Sequence, residues 1–190
     1  MSDLLRDGGG GAVGMLEFTS IAAGMEAADL MLKTANVSPI FFKTVCPGKF
    51  LAAVSGNVAA VEASVQAGRA GAPESVADWF VIPNIHGEVI AAMSGCVQPV
   101  ERGALGIIET FSVAASIEAA DAAAKAANVR LLDVRSALGL GGKGYVLLGG
   151  DVAAVQSAVD AGAARAGEAG LLVRSVVIPR PSDAFYDQII

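Results

Sequence analysis

Charge is scarce in this 190-residue chain: Asp, Glu, Lys and Arg make up 17%, against about 25% in ordinary soluble domains. Aromatic residues are 5%, and there is one histidine. No Lys/Arg cluster occurs and the net charge is −6. That balance disfavours a nucleic-acid partner, because phosphate binding needs a concentrated basic surface. No apolar run reaches about 18 residues, since charges or Gly, Pro, Ser, Thr and Asn interrupt each one; no membrane span is expected. Residues 1–11 hold Asp3, Arg6 and Asp7, then four glycines. Without an apolar core they read as a flexible tail rather than a signal peptide. Two cysteines, Cys46 and Cys96, point to a reducing cytoplasm and no disulfide framework. What is abundant is apolar: hydrophobic types are 54% and 37 residues are alanine. Disorder of the body of the chain is excluded. So little charge implies that much of the surface lies against other subunits.

The strongest feature is an internal duplication. Gly14–Val37 (GMLEFTSIAAGMEAADLMLKTANV) and Gly106–Val129 (GIIETFSVAASIEAADAAAKAANV) share 13 of 24 positions at an offset of 92. Matched pairs include Glu17/Glu109, Ser20/Ser112, Asp29/Asp121, Lys33/Lys125 and Asn36/Asn128. The match continues through Gly48-Lys49 with Gly142-Lys143, Gly56–Val61 with Gly150–Val155, and Val81-Ile82-Pro83 with Val177-Ile178-Pro179. Helix composition alone does not explain matched Glu, Lys, Asn and Gly. The expected domains are 12–86 and 104–190, joined by a linker over 87–103.

Each repeat reads strand, helix, two strands, helix, strand. In the first, these are Val13–Glu17, Ile21–Ala35 after an N-cap at Ser20, Ile40–Val45, Phe50–Ser55, Val58–Gly68 and Ala77–Ile82. In the second they are Leu105–Glu109, Ile117–Ala127, Leu131–Ala137, Tyr145–Gly149, Val152–Ala166 and Leu171–Ile178. The class is α/β (α+β), with two tandem ferredoxin-like βαββαβ domains. Two fused copies can fill two places of a ring, so three chains would close a pseudo-hexamer.

The pattern Gly-(Met/Ile)-(Leu/Ile)-Glu at 14–17 and 106–109, with Ser20, Ala27-Ala28-Asp29, Lys33 and Ala35-Asn36-Val37 and their matches, occurs in both repeats. With Gly150-Asp151-Val152 and Ile178-Pro179-Arg180-Pro181, they resemble bacterial microcompartment shell proteins of the tandem-domain, trimer-forming class. Lys43–Phe50 (KTVCPGKF), Asn84-Ile85-His86 and Val177–Pro181 resemble the iron–sulfur-binding type from propanediol-utilisation compartments. The resemblance implies a flat tile, a homotrimer that meets other shell proteins and serves encapsulated redox enzymes. It implies that Lys33, Lys125 and Arg180 lie at tile edges, where Asn84 departs from Arg180. It also implies that the turn between the second and third strands lines a central pore. That turn is Cys46-Pro47-Gly48-Lys49 in one repeat and Leu140-Gly141-Gly142-Lys143 in the other.

Cys46 is therefore the candidate metal ligand, with Pro47, Gly48 and Lys49 as its cofactor-binding surroundings. One cysteine cannot hold a cluster, since such sites take about four ligands, and no Cys-x-x-Cys exists. A threefold axis would gather three Cys46 thiolates onto three irons of one [4Fe–4S] cluster per trimer. Pro47 stiffens the turn, Gly48 allows close backbone approach, and Lys49 adds positive charge near the thiolates. The alternative is a metal-free tile whose pore passes small molecules. A third reading, an enzyme or sensor, lacks support. Glu17 and Glu109 recur as scaffold positions, His86 reads as a capping or packing residue, and Cys96 as structural. The glycines of 139–144 miss the phosphate-loop pattern, because Gly144 stands where a hydroxyl residue is needed. No catalytic residue is expected.

Overall fold

The structure is a computed structural model and describes residues 11–93, 102–136 and 141–189. Cys96, Leu140, most of the tail and residues 94–101 of the expected linker lie outside them. Two compact units are present, Met1–Gly87 with Ala137–Gly142, and Glu88–Ser136 with Lys143–Ile190.

The first repeat runs β1 (Ala12–Phe18), α1 (Ile21–Thr34), β2 (Ser38–Val45), β3 (Lys49–Gly56), α2 (Val58–Gly71) and β4 (Val76–Ile82). Its sheet has the order β2-β3-β1-β4, antiparallel throughout. After helix α3 (Gly87–Met93), the second repeat gives β5 (Ala104–Thr110), α4 (Val113–Ala126), β6 (Arg130–Ser136), β7 (Gly144–Gly150), α5 (Val152–Glu168) and β8 (Leu172–Ile178), and α6 (Asp183–Ile189) follows. Its sheet order is β6-β7-β5-β8. This is the ferredoxin-like arrangement, twice. Even the irregularities are duplicated: a register shift falls at Glu17/Phe18 and again at Glu109/Thr110.

Local chemistry accounts for the elements. Ser20 Oγ accepts from the Ala23 N–H at 3.4 Å, and Ser112 Oγ from Ala115 N–H at 3.0 Å, satisfying donors that a helix start leaves open. The cap at Ser112 explains why α4 begins four residues before the expected Ile117. Asn57 caps α2 in the same way. Between helix pair and sheet, glycine is needed where layers touch. A Cβ on Gly14 would lie 2.5 Å from Val65, and one on the matched Gly106 would lie 2.5 Å from Val159. In the first repeat the core is Leu16, Phe18, Met31, Phe50, Val54, Val61 and Val65.

Two helices were not expected from the sequence. Within the expected linker of 87–103, α3 buries Val89, Ile90 and Ala92. The Glu88 carboxylate accepts from Leu131 N–H at 2.8 Å and pairs with Arg130 at 3.0 Å. The helix α6 sets Tyr186 against Leu105, Leu132 and Leu147, covering one face of the second sheet. Arg102 ties it down through Asp183, at 2.5 Å, and Asp187.

Candidate functional site

The hairpin β2–β3 closes over only three residues, Cys46, Pro47 and Gly48. So short a closure demands special backbone, and both devices are present. The Cys46–Pro47 peptide is cis, and Gly48 has φ +79°, a value that favours glycine. Cys46 is exposed at the tip and is a free thiol. A Cβ at Gly48 would meet nothing within 4 Å, so the space beside Gly48 is open.

Lys49 is the first residue of β3, and its Nζ lies 2.7 Å from Glu17 Oε1. Glu17 is fully buried on β1. The positive charge of Lys49 is thus matched by a buried carboxylate. The duplication repeats the bond: Lys143 Nζ lies 3.0 Å from Glu109 Oε1. Both glutamates hold their turns, as the sequence reading of them as scaffold positions implies.

Gly141 and Gly142 of the second repeat's turn belong to the same compact unit as Cys46. Gly142 is buried with φ +89°, and a Cβ there would lie 3.1 Å from Pro47 Cδ and 3.4 Å from Lys49 Nζ. Gly142 is therefore a packing partner of the Cys46 turn. Sequence reasoning aligned the two turns but did not bring them together. The signal was there in Gly141-Gly142, which leave room for a neighbour.

Further along β2, Lys43 Nζ sits 4.3 Å over the Phe41 ring, and burial pushes its pKa below the usual lysine value. The matched place in the second repeat is built differently. Arg135 Nε pairs with Asp133 Oδ2 at 2.9 Å, and Tyr145 OH donates to the same oxygen at 3.3 Å. Burial, and then the Asp133 charge, push the Tyr145 phenol up.

The remaining expected residues lie apart from Cys46. Lys33 and Lys125 end their helices, each bonded to an aspartate one turn earlier, Lys33 to Asp29 at 2.5 Å and Lys125 to Asp121 at 2.6 Å. Arg180 is exposed between Pro179 and Pro181, where it lines a cavity of about 210 Å³ with Arg102, Asp183 and Tyr186. His86 stands directly before α3 and is half-buried. The sequence reading passed over a second concavity of about 620 Å³, lined by Gln66, Arg69, Asp78 and Trp79. In it the Arg69 guanidinium stacks 3.8 Å from the Trp79 ring centre. Among the described residues, no group of three or more His, Cys, Asp or Glu side chains could hold a metal ion within one chain. No described helix is long and apolar enough to cross a membrane.

Duplicated sheets and duplicated Glu–Lys pairs define a tandem-domain scaffold. Comparison with known proteins agrees. The BMC domain matches residues 12–85 and again 104–181, and the chain belongs to the family of bacterial microcompartment shell proteins. It is 50% identical over 179 residues to the shell protein PduT of Citrobacter freundii, covering 94% of this chain and 97% of that one. The single-domain shell protein EutM of Escherichia coli is 53% identical over 78 residues, 41% of this chain and 78% of its own. A crystal structure of a microcompartments protein from Desulfitobacterium hafniense DCB superposes with a TM-score of 0.85 at 49% identity, covering 93% of this chain and 98% of that one. The chain is a structural component of a microcompartment shell, and its family is structural rather than catalytic.

Proposed function

We propose that this shell protein forms a trimeric, pseudo-hexameric tile in which three Cys46 thiolates hold one [4Fe–4S] cluster at the central pore. The observation that carries the reading is the placement of Cys46: an exposed free thiol at the tip of a three-residue turn, with open space beside Gly48. Iron–sulfur clusters are held by cysteine thiolates, and a single chain offers one here. A threefold axis multiplies that one ligand to three. Backbone N–H groups of Gly48 and Lys49 would point toward the cluster sulfides, and such donors tune bound sulfur. The Glu17–Lys49 pair and Gly142 hold the turn in position. When bound, the cluster would supply a one-electron couple at the shell. The tile would then pass electrons across the shell to encapsulated redox enzymes, or deliver clusters to them. Lys33, Lys125 and Arg180, all exposed at their side chains, would meet neighbouring shell proteins.

The test is an anaerobic absorption and EPR spectrum with iron counted per trimer. The reading expects a broad absorption that bleaches on reduction, and about four irons per trimer. No iron even after reconstitution would overturn it and leave Cys46 as a thiol lining a pore for small molecules.

A further inference from the structure

The short helices that follow the two repeats start at matched places and carry different chemistry. Four residues separate β4 from α3, and four separate β8 from α6. By that alignment Ile90 matches Tyr186, Asn84 matches Arg180 and Gly87 matches Asp183. Ile90 and Tyr186 are both buried, at 6% and 5% exposure, so an aliphatic side chain meets the packing need of this position. The phenol adds a hydroxyl. Among the described residues, the Tyr186 OH is the buried side-chain polar atom left without a hydrogen-bond partner. Such an atom is costly, and native structures rarely keep one without a use. Tyr186 lines the cavity of about 210 Å³ beside α6, where Arg102, Arg180 and Asp183 supply the charges. Arg102 is engaged by Asp183 at 2.5 Å and by Asp187, and it stands 5.7 Å from the Tyr186 ring centre. The exposed Arg180 has no ion-pair partner among the described residues.

We propose that this cavity binds a small carboxylate anion, held by the Arg180 guanidinium and by a hydrogen bond from the Tyr186 hydroxyl. Charge and size select the ligand. The lining carries two guanidinium groups and one carboxylate, so a single negative charge balances it and a dianion leaves a charge uncompensated. The unpaired fork of Arg180 matches the planar, two-oxygen edge of a carboxylate. The volume is below the about 300–1,000 Å³ of sites for drug-sized ligands, so the carboxylate is a short one. Tyr186 supplies what Ile90 lacks, a donor in need of an acceptor, and Arg180 supplies the charge that Asn84 lacks. Every lining residue belongs to one compact unit. The site therefore needs neither a second copy nor a cluster at Cys46, and it is independent of the function proposed above.

The experiment titrates the protein with acetate, read by saturation-transfer NMR and by thermal melting. It compares the unaltered protein with Tyr186→Phe and Arg180→Gln, and with Arg174→Gln, an exposed arginine of β8 outside the cavity, as a control. Phenylalanine keeps the ring that packs on Leu105, Leu132 and Leu147, and Arg180 is exposed, so the fold persists; circular dichroism checks this. The expected result is saturable acetate binding that raises the melting temperature of the unaltered protein and the control alike. Arg180→Gln should weaken acetate at least about tenfold, through loss of charge-assisted hydrogen bonds. Tyr186→Phe should weaken it about threefold to tenfold, through loss of one hydrogen bond. Sulfate, a dianion, should bind more weakly than acetate, and tighter sulfate binding would overturn the carboxylate assignment. No saturable binding by the unaltered protein would overturn the site and leave the Tyr186 hydroxyl to ordered water. Undiminished acetate affinity in either cavity variant would overturn it as well, because acetate would then sit elsewhere.

Discussion

The Glu17–Lys49 pair of the first repeat is sealed, with the carboxylate fully buried, whereas the matched Glu109 of the second keeps 37% of its side chain exposed. The same two residue types, at matched places on matched strands, make one bond of 2.7 Å and one of 3.0 Å. Duplication therefore preserved the connection and let its surroundings diverge. The turns diverged further. One carries Cys46 before a cis proline, the other Gly142, which packs against Pro47. Half of the molecule thus holds the candidate chemistry and half supplies matching support.

The sharpest break in that comparison is at the turn. Cys46→Ser should take iron from about four per trimer to none while the trimer persists, read by iron analysis and light scattering on the same sample. Retained iron would show that Cys46 is not the ligand. Next comes the pair of ion pairs. Glu17→Gln should cost about 3 kcal/mol, as for a buried pair broken on one side, and Glu109→Gln less than about 1 kcal/mol, as for a more exposed one. Denaturant unfolding of both variants tests the difference, and equal costs would remove the contrast between sealed and open. The two turn glycines separate in the same way. Gly48→Ala meets open space and should cost about 1–2 kcal/mol from its positive φ alone. Gly142→Ala also presses on Pro47 at 3.1 Å and should cost about 1 kcal/mol more, a gap visible in thermal melts.

Smaller still are the helix caps. Ser20→Ala and Ser112→Ala should each lose about 1 kcal/mol, with Ser112→Ala the larger, since its bond is shorter at 3.0 Å. The smallest effect on stability belongs to Lys33→Ala and Lys125→Ala, whose partners lie on the same helix, where such pairs contribute about 0.3–0.5 kcal/mol. They should leave the trimer unchanged and impair only the growth of two-dimensional sheets, which electron microscopy of the assembled protein would reveal. Loss of the trimer would move these lysines from the outer edge to the interior of the tile.

Much of the fold was legible because it is written twice. Ser20 and Ser112, Gly14 and Gly106, and Glu17 and Glu109 are each weak signals alone, and their recurrence at fixed offsets turned them into element boundaries. The strands and helices of both repeats stand within a few residues of their expected bounds. The exceptions are the start of α4, which the cap at Ser112 moved, and the helices α3 and α6. Neither of those has a repeat-wide pattern of its own. Each is seven residues long, too short to be stable alone, and depends on the burial of Ile90 or Tyr186.

The candidate site was legible only in part. A cysteine between a strand and Pro-Gly reads directly as a thiol on a turn, because backbone geometry at such a turn is local. The chain by itself determined the duplication, the hairpins and the single cysteine at their tip, since these depend on residues close in sequence. Two features needed the tertiary structure: the engagement of Lys49 by Glu17 and the seat of Gly142 against Pro47. Each joins residues dozens of positions apart, and pairing over such distances is decided by packing, which no local pattern encodes.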